Sequence, residues 1–341
     1  MLTADLTRSP TGRAAIKSPP YNRSMTKKAL GVAAAVLGAA LIAPTAIAQS
    51  PVPSTGIPSA KVPSSEIPAA DGWQPIGDGI TSGISGIAIA ARDGDTVDTL
   101  AVRDNKEPGQ NRLVAVRYAP DAKPRVRPVA WAGEPPVDLE AIDAVPGRDD
   151  EYVALASSGK AYRIHRDGDT VHVAQEFSLP GASPDANYEG FALKAVHGTI
   201  AAVWADRGQD DRPAKLSAAE WNPRTNTFGE PDSAEFTVPY PADDVRHISD
   251  VKLSATGALT VSSASDPGDD GPYDSALYHA GRISVGGEVR LHVADGPRRL
   301  GTFPRHKIEA LACLPGSREG ILGTDDENDG GSIAAAEFCH P

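Results

Sequence analysis

The feature that most constrains the fold is a short sequence motif that recurs along the chain. In its fullest form an acidic residue, a small residue and an apolar residue open a strand, and a second apolar strand follows. The copies begin at Ser85, Glu140, Glu189, Asp250 and Glu309, so they lie 55, 49, 61 and 59 residues apart. Repeats of this length, with several short strands each, are typical of β-propellers. A helical solenoid would need a long 3.6-residue apolar periodicity, which the sequence does not show.

Residues 137–177 show how one repeat divides into strands. Four short segments of apolar or alternating residues are separated by turn-forming pairs at residues 146–147, 158–159 and 167–168, and the last pair, Asp-Gly, suits a two-residue hairpin. The sequence therefore predicts an all-β fold, a β-propeller of four-stranded antiparallel blades, with five blades or six if one is degenerate. The last repeat is one strand short, and we expect residues 73–80 to supply that strand and close the ring.

The N-terminal residues carry the pattern of an export signal. Two lysines precede an Ala/Gly-rich apolar run that Pro44 ends, and residues 46–48 (Ala-Ile-Ala) follow as a cleavage site, which is typical of a secretory signal peptide. The apolar run is short for a membrane span. We expect a secreted, extracellular, monomeric protein with no membrane attachment after cleavage, and the translation start, at Met1 or Met25, stays open.

Composition divides the chain into three parts. We assign residues 1–48 to an upstream extension and the signal peptide, residues 49–71 to a Pro/Ser-rich linker and residues 72–341 to a single propeller domain. The net charge of the whole chain is −12, and residues 1–48 contain six Lys or Arg and one Asp, so the remainder carries −17. An acidic chain of this kind disfavours nucleic acid and anionic membranes as partners. It is compatible with the binding of cations.

The two cysteines of the chain, Cys313 and Cys339, both lie in the last repeat. In an exported protein such a pair predicts one disulfide bond, which would fasten the C-terminus to the closing blade. Two buried free thiols are the alternative.

Acidic residues recur where the motif begins. In an antiparallel meander the start of the first strand and the end of the second lie at the same edge of the sheet. The acids that we expect to meet at this edge are Glu140, Glu189, Asp250 and Glu309, together with Asp325 after a second strand. Carboxylates gathered in one place raise one another's pKa unless a cation neutralises them. Calcium, a hard ion that takes six to eight oxygen ligands, is the cation that we expect these residues to bind.

Two arginine–histidine pairs precede the motif with identical spacing. Arg246-His247 comes before Asp250, and Arg305-His306 comes before Glu309. Arginine is suited to capture of a phosphate or carboxylate, and histidine can act as a general acid or base. The spacing predicts that Arg246 and Arg305 bind an anionic ligand and that His247 and His306 are catalytic. The alternative is that a duplicated blade kept its loop and that the arginines only offset nearby acids.

The motif residues resemble those of the secreted phytase-like (esterase-like) β-propeller family. The likeness rests on short segments that cover most of residues 80–330, namely residues 83–87, 138–142, 188–192, 248–250, 308–311 and 324–328. It implies a propeller, export, calcium and hydrolysis of phosphoesters or esters, although Ala141 and Ala310 stand where the family more often has glycine. We therefore expect a calcium-binding propeller that hydrolyses a small anionic ester at the acidic edge. The alternative is a non-catalytic propeller that binds a protein or glycan on the same face.

Overall fold

The computed structural model describes residues 72–339, so the predicted signal peptide and linker lie outside the described residues. Apart from a single-turn 3-10 helix at Glu327–Asp329, the regular structure of residues 72–339 consists of β-strands. None of its helices has the length and hydropathy that a transmembrane segment requires.

The strands form five blades, which are antiparallel except for one short parallel pairing at the edge of the second. The chain begins with β1 (Gln74–Gly77). Blade one contains β2 (Gly86–Asp93), β3 (Thr96–Val102), β4 (Leu113–Ala119) and β5 (Ala122–Pro128), and the short β6 (Ala130–Trp131) follows it. Blade two contains β7 (Leu139–Ala144), β8 (Glu151–Ala156), β9 (Lys160–Asp167) and β10 (Thr170–Ser178).

The remaining blades follow the same plan. Blade three contains β11 (Tyr188–Val196), β12 (Thr199–Asp206), β13 (Ala214–Asn222), β14 (Thr227–Phe228) and β15 (Asp232–Phe236). Blade four contains β16 (Val245–Leu253), β17 (Ala258–Ser265), β18 (Asp274–Val285) and β19 (Val289–Pro304), and blade five contains β20 (Ile308–Cys313), β21 (Glu319–Thr324) and β22 (Gly331–Glu337).

The ring closes through the N-terminal strand. Blade five has the order β1-β22-β21-β20, so β1 supplies its fourth strand, antiparallel to β22. The five first strands β2, β7, β11, β16 and β20 contact one another in cyclic order, with β20 against β2. The prediction of a five-bladed propeller closed by an N-terminal strand is confirmed. This closure joins the N-terminal and C-terminal strands of the domain in one blade, so that β22 does not remain an exposed edge strand.

Apolar side chains fill the space between blades. One buried cluster contains Ala141 and Leu155 of blade two with Phe191 and Trp204 of blade three. The small residue of the motif lies where first strands approach most closely. A Cβ atom added at Gly86 would lie 2.7 Å from the Cα atom of Ala141. The close approach of neighbouring strands therefore explains the glycine at position 86.

The disulfide bond between Cys313 and Cys339 is present, and its two Cα atoms are 5.7 Å apart. Cys313 ends β20, while Cys339 follows β22, which lies two strands away in the same sheet. After β22, the Cys339 N–H donates to the Arg318 carbonyl oxygen (2.9 Å), which fixes this residue beside the start of β21. The predicted disulfide is confirmed, and its Cα separation lies within the range that a disulfide allows.

Candidate functional site

Three of the predicted acids occupy equivalent β-bulges. The register shifts between Leu139 and Ala141 in β7, between Tyr188 and Gly190 in β11, and between Ile308 and Ala310 in β20. The residue left unpaired in each case is a glutamate: Glu140, Glu189 and Glu309. A bulge changes the direction of the side chain of the extra residue. The three carboxylates therefore point away from the blade interfaces and lie close together. One oxygen of each lies within 4.8 Å of the others, and all three residues are buried.

Asp250 does not join this cluster. In the bulged blades, the residue after the glutamate pairs with the second strand, as Ala310 does with Gly323. Asp250 occupies the position equivalent to Ala310, because it pairs with Ser262 of the second strand in its own blade. Its carboxylate is fully buried and accepts the N–H groups of Val251 (2.7 Å) and Leu311 (2.8 Å), which joins blade four to blade five. Burial raises the pKa of Asp250 to about 7. We therefore assign Asp250 a place in the contact between blades.

Serine residues occupy the bulge position in the other two blades. Ser249 precedes Asp250 within the irregular part of β16. Ser85 precedes Gly86, and the Ser85 N–H donates to the Val102 carbonyl oxygen (3.1 Å). Ser85 is 1 % exposed and Ser249 is fully buried. Neither hydroxyl oxygen has a hydrogen-bond partner among residues 72–339. Buried hydroxyls normally have partners, so these two are suited to a ligand or water at the centre of the ring.

A second acidic triad shares one member with the first. Asp104, Asp138 and Glu140 also place one carboxylate oxygen each within 4.8 Å of the others. We name the five residues of the two triads the acidic cluster: Asp104, Asp138, Glu140, Glu189 and Glu309. They come from blade one, the segment before β7, and blades two, three and five. Glu140 is common to both triads.

Two cations, the buried Lys307 and the partly buried Arg246, neutralise one side of the acidic cluster. The Nη1 atom of Arg246 lies 2.7 Å from Glu309 Oε1 and 3.7 Å from Glu189 Oε1, and its Nη2 atom lies 2.5 Å from Asp266 Oδ2. The Nζ atom of Lys307 lies 3.2 Å from Glu309 Oε1. Burial by itself would lower the pKa of both cations, but the surrounding carboxylates outweigh it, so the pKa of each lies above its ordinary value.

Glu140 has no such partner. No hydrogen bond or ion pair from any other residue in the described part of the chain reaches its carboxylate. Burial, and then the charge of Glu189, raises the pKa of Glu140 well above its ordinary value. Burial, and then Glu309, also raises the pKa of Asp104, to about 6. Lys106 forms an ion pair with Asp138 (2.9 Å) at the edge of the region around Glu140, but the Glu140 carboxylate itself has no cation partner within residues 72–339, which favours a proton or a bound cation there.

Asp325 lies beside this region in the loop after β21. It is buried, and its pKa is raised well above the ordinary value by burial and then by Glu309. Its Oδ1 atom accepts the Glu327 N–H (3.3 Å). A Cβ atom added at Gly83 would lie 1.9 Å from that oxygen, so only glycine leaves room for the carboxylate there.

The two histidines lie in different environments. His247 is buried, its Nδ1 atom accepts the Val238 N–H (3.3 Å), and its Nε2 atom bonds to the Asp210 carbonyl oxygen (2.8 Å), so both ring nitrogens are engaged. His306 is partly exposed, its Nδ1 atom lies 3.0 Å from Asp326 Oδ2, and its ring packs on Trp73 at 4.2 Å between centroids. Only His306 is placed to exchange a proton with a ligand.

The two predicted arginines also lie in different environments. Arg246 is partly buried at the acidic cluster, whereas Arg305 is exposed. The Arg305 backbone, at φ 66°, donates an N–H to the Tyr273 carbonyl oxygen (2.6 Å). Once Ser249 is matched with Glu309, Arg246 corresponds to His306 and His247 corresponds to Lys307. The identical spacing of the pairs in the sequence therefore does not make their positions equivalent.

Sequence reasoning did not single out Ser249, Lys307, Asp138 and Arg207. Arg207 lies 3.3 Å from Glu189 through its Nη1 atom. A signal for Ser249 exists in the sequence, because an apolar residue precedes the bulge in every blade. Alignment of Ile248 with Ile308 makes Ser249, rather than Asp250, the residue equivalent to Glu309.

Comparison with known proteins shows likeness at the level of overall structure. No protein family model matches the sequence, and no curated protein matches it significantly. An α-L-arabinofuranosidase from Podospora anserina, solved in complex with cellotriose, is 16% identical over 79% of this chain and 98% of its own, with a TM-score of 0.46. An exo-β-1,3-galactanase from Clostridium thermocellum is 10% identical over 78% of this chain and 62% of its own, with a TM-score of 0.46. These similarities carry no argument about activity.

Proposed function

We propose that this protein is a secreted β-propeller that binds calcium at the acidic cluster. The observation that supports the proposal is the Glu140 carboxylate, which is buried, unpaired within residues 72–339 and shared by two acidic triads. An ionised carboxylate without a partner costs several kcal/mol to bury. A bound divalent cation would offset that cost and the repulsion from Glu189.

The donor atoms suit a hard cation. The acidic cluster contains carboxylate oxygens, and the unpartnered hydroxyls of Ser85 and Ser249 hold the equivalent positions in the other two blades. An all-oxygen set of this kind is preferred by calcium, whereas zinc and copper favour nitrogen and sulfur. Because the ligands come from several blades, calcium would hold those blades together and stabilise the ring.

Calcium titration of the EDTA-treated protein tests this proposal. Glu140→Gln is expected to abolish binding and, in EDTA, to melt at a higher temperature than the wild type, because the amide removes like-charge repulsion. In the wild type, calcium at about 100 times Kd is expected to add about 2.7 kcal/mol of stability. The matched control is Glu235→Gln on β15, an exposed glutamate. Wild-type melts that are identical in EDTA and calcium would disprove the calcium site.

We extend the proposal to hydrolysis of a phosphoester or carboxylic ester on the same face. His306 is the proposed general base, since Asp326 accepts its Nδ1–H and leaves Nε2 as the nitrogen that accepts a proton. Asp326 is itself held by the hydroxyl of Thr324 (2.8 Å) and the N–H of Lys307 (2.7 Å). The exposed Arg305 is the proposed contact for the anionic group of the substrate.

A panel of chromogenic phosphate and carboxylate esters tests the catalytic part. His306→Gln is expected to lower kcat/KM by about 10²–10⁴-fold, whereas His292→Gln, at an exposed histidine on β19, is expected to have no effect. Equal activity of the two variants would remove His306 from the mechanism. Calcium binding without turnover of any ester would favour the alternative function, recognition of a protein or glycan without catalysis.

A further inference from the structure

A basic cleft lies between blades one and two. It has a volume of about 450 Å³ and includes residues from the end of β2, whereas the acidic cluster lies near the start of the first strands. Its charged lining consists of four arginines and two acids: Arg117, Arg125, Arg127, Arg166, Asp98 and Asp150. Four guanidinium groups against two carboxylates leave an excess of positive charge, although the chain as a whole carries −12.

Two of the arginines face each other directly. Arg117 on β4 pairs in register with Arg125 on β5, and Arg127 follows two residues later on the same face of β5. Like charges directly opposite each other in an antiparallel sheet destabilise it. Within residues 72–339, the side chain of Arg125 makes no hydrogen bond or ion pair. The repulsion between these two arginines is therefore relieved only in part.

The other arginines have weak or partial contacts. Arg117 lies 3.5 Å from Asp98 Oδ2 and Arg127 lies 3.5 Å from Asp169 Oδ1, in pairs that are exposed to solvent. Arg166 donates its Nε–H to the Gly168 carbonyl oxygen (2.8 Å). Because each guanidinium has five N–H donors, most of the donors in the cleft remain free to bind a ligand.

We propose that this cleft binds a small molecule that carries a phosphate or sulfate group. The planar guanidinium donates parallel hydrogen bonds that match the oxygens of such a group, and several arginines together provide both charge and orientation. The volume lies within the range of small-molecule sites and exceeds that of a single oxyanion. The small side chains of Ala90, Ala91 and Ala115 leave room for the rest of the ligand.

Isothermal titration of the full chain with sodium phosphate and with sodium sulfate tests this inference. EDTA in the buffer separates the result from the calcium proposal, and sodium chloride at the same ionic strength is the reference. Saturable binding of phosphate, sulfate or both is expected, and the two titrations show which oxyanion is preferred. Heats that match those of chloride for both salts would overturn the proposal.

Substitution of Arg125 locates the site. Arg125→Gln is expected to weaken oxyanion binding about tenfold, because it removes a charged donor with no other partner. In low salt without the oxyanion, its melting temperature is expected to equal or exceed that of the wild type, because the repulsion from Arg117 is gone. Arg224→Gln, at an exposed arginine of blade three, is the matched control and is expected to bind as the wild type does. Unchanged affinity in Arg125→Gln would show that the cleft is not the site.

Discussion

Arg246 is the cation on which the acidic cluster most depends, and its removal provides a quantitative test of the site. Its guanidinium contacts carboxylates from three blades: Glu309 at 2.7 Å, Glu189 at 3.7 Å and Asp266 at 2.5 Å. The side chain is only 13% exposed, so solvent screens these contacts weakly. Arg246→Gln would remove the guanidinium that contacts Asp266 and one of the two cations beside each of the buried Glu189 and Glu309.

The expected loss follows from this burial. Removing one partner of a buried ion pair costs about 3–5 kcal/mol. For a domain of this size each kcal/mol lowers the melting temperature by about 2–4 °C, so a fall of roughly 6–20 °C is expected in EDTA. The exposed pair of Arg290 and Glu288, with side chains 59% and 66% exposed, is the control. Arg290→Gln is expected to cost about 0–1 kcal/mol.

Urea unfolding of four proteins separates the ion pair from other effects. The wild type, Arg246→Gln, Glu309→Gln and the double variant form a double-mutant cycle. The double variant is expected to be more stable than the sum of the two single losses predicts, because Glu309 no longer leaves a buried charge unpaired. A loss of less than about 1 kcal/mol in Arg246→Gln, equal to that of the exposed control, would refute the reasoning.

Two further predictions concern Asp104 and the first strands. The pKa of Asp104 is raised from 3.8 to about 6 in the folded protein, so the folded state retains a proton that the unfolded state has lost. The free energy of unfolding in EDTA is therefore expected to fall as pH rises from about 4 to about 6. Asp104→Asn is expected to reduce that fall in urea titrations, and an unchanged pH profile in this variant would contradict the raised pKa of Asp104. Gly86→Ala is expected to cost about 1–3 kcal/mol, because its Cβ would lie 2.7 Å from the Ala141 Cα atom. Gly296→Ala, where a Cβ meets nothing within 4 Å, is the control, and equal thermal melts of the two variants would disprove the close approach.

The sequence was sufficient to predict the architecture, because the relevant signals are local and repeated. Strand lengths, the turn residues between strands and the spacing of the motif predict a propeller of five blades, or six if one is degenerate, and the short last repeat predicts the closing strand near Trp73. The pairing of Cys313 with Cys339 also follows from the sequence, because the chain contains no other cysteine. The structure confirms these predictions.

The sequence alone was not sufficient to predict the composition of the acidic cluster. Side chains in a strand alternate between faces, so an error of one residue in register moves a side chain to the other side. The acidic character of Asp250 suggests that it is equivalent to Glu309, whereas the bulge in β20 and the irregular start of β16 make Ser249 the equivalent residue. The bulge depends on how two strands pair, which the motif itself does not show.

The sequence by itself determined the fold class, the repeat that forms the blades, the one possible pair of cysteines and the gathering of acids at one edge of the blades. Only the tertiary structure decided which acids have a cation and which do not. Arg246 reaches Glu309 across 63 residues of sequence and from a different blade, while Glu140 receives no partner from residues 72–339. The physical reason is that β-pairing and turns depend on neighbouring residues, whereas the pairing of buried charges depends on side chains that only the closed ring brings together.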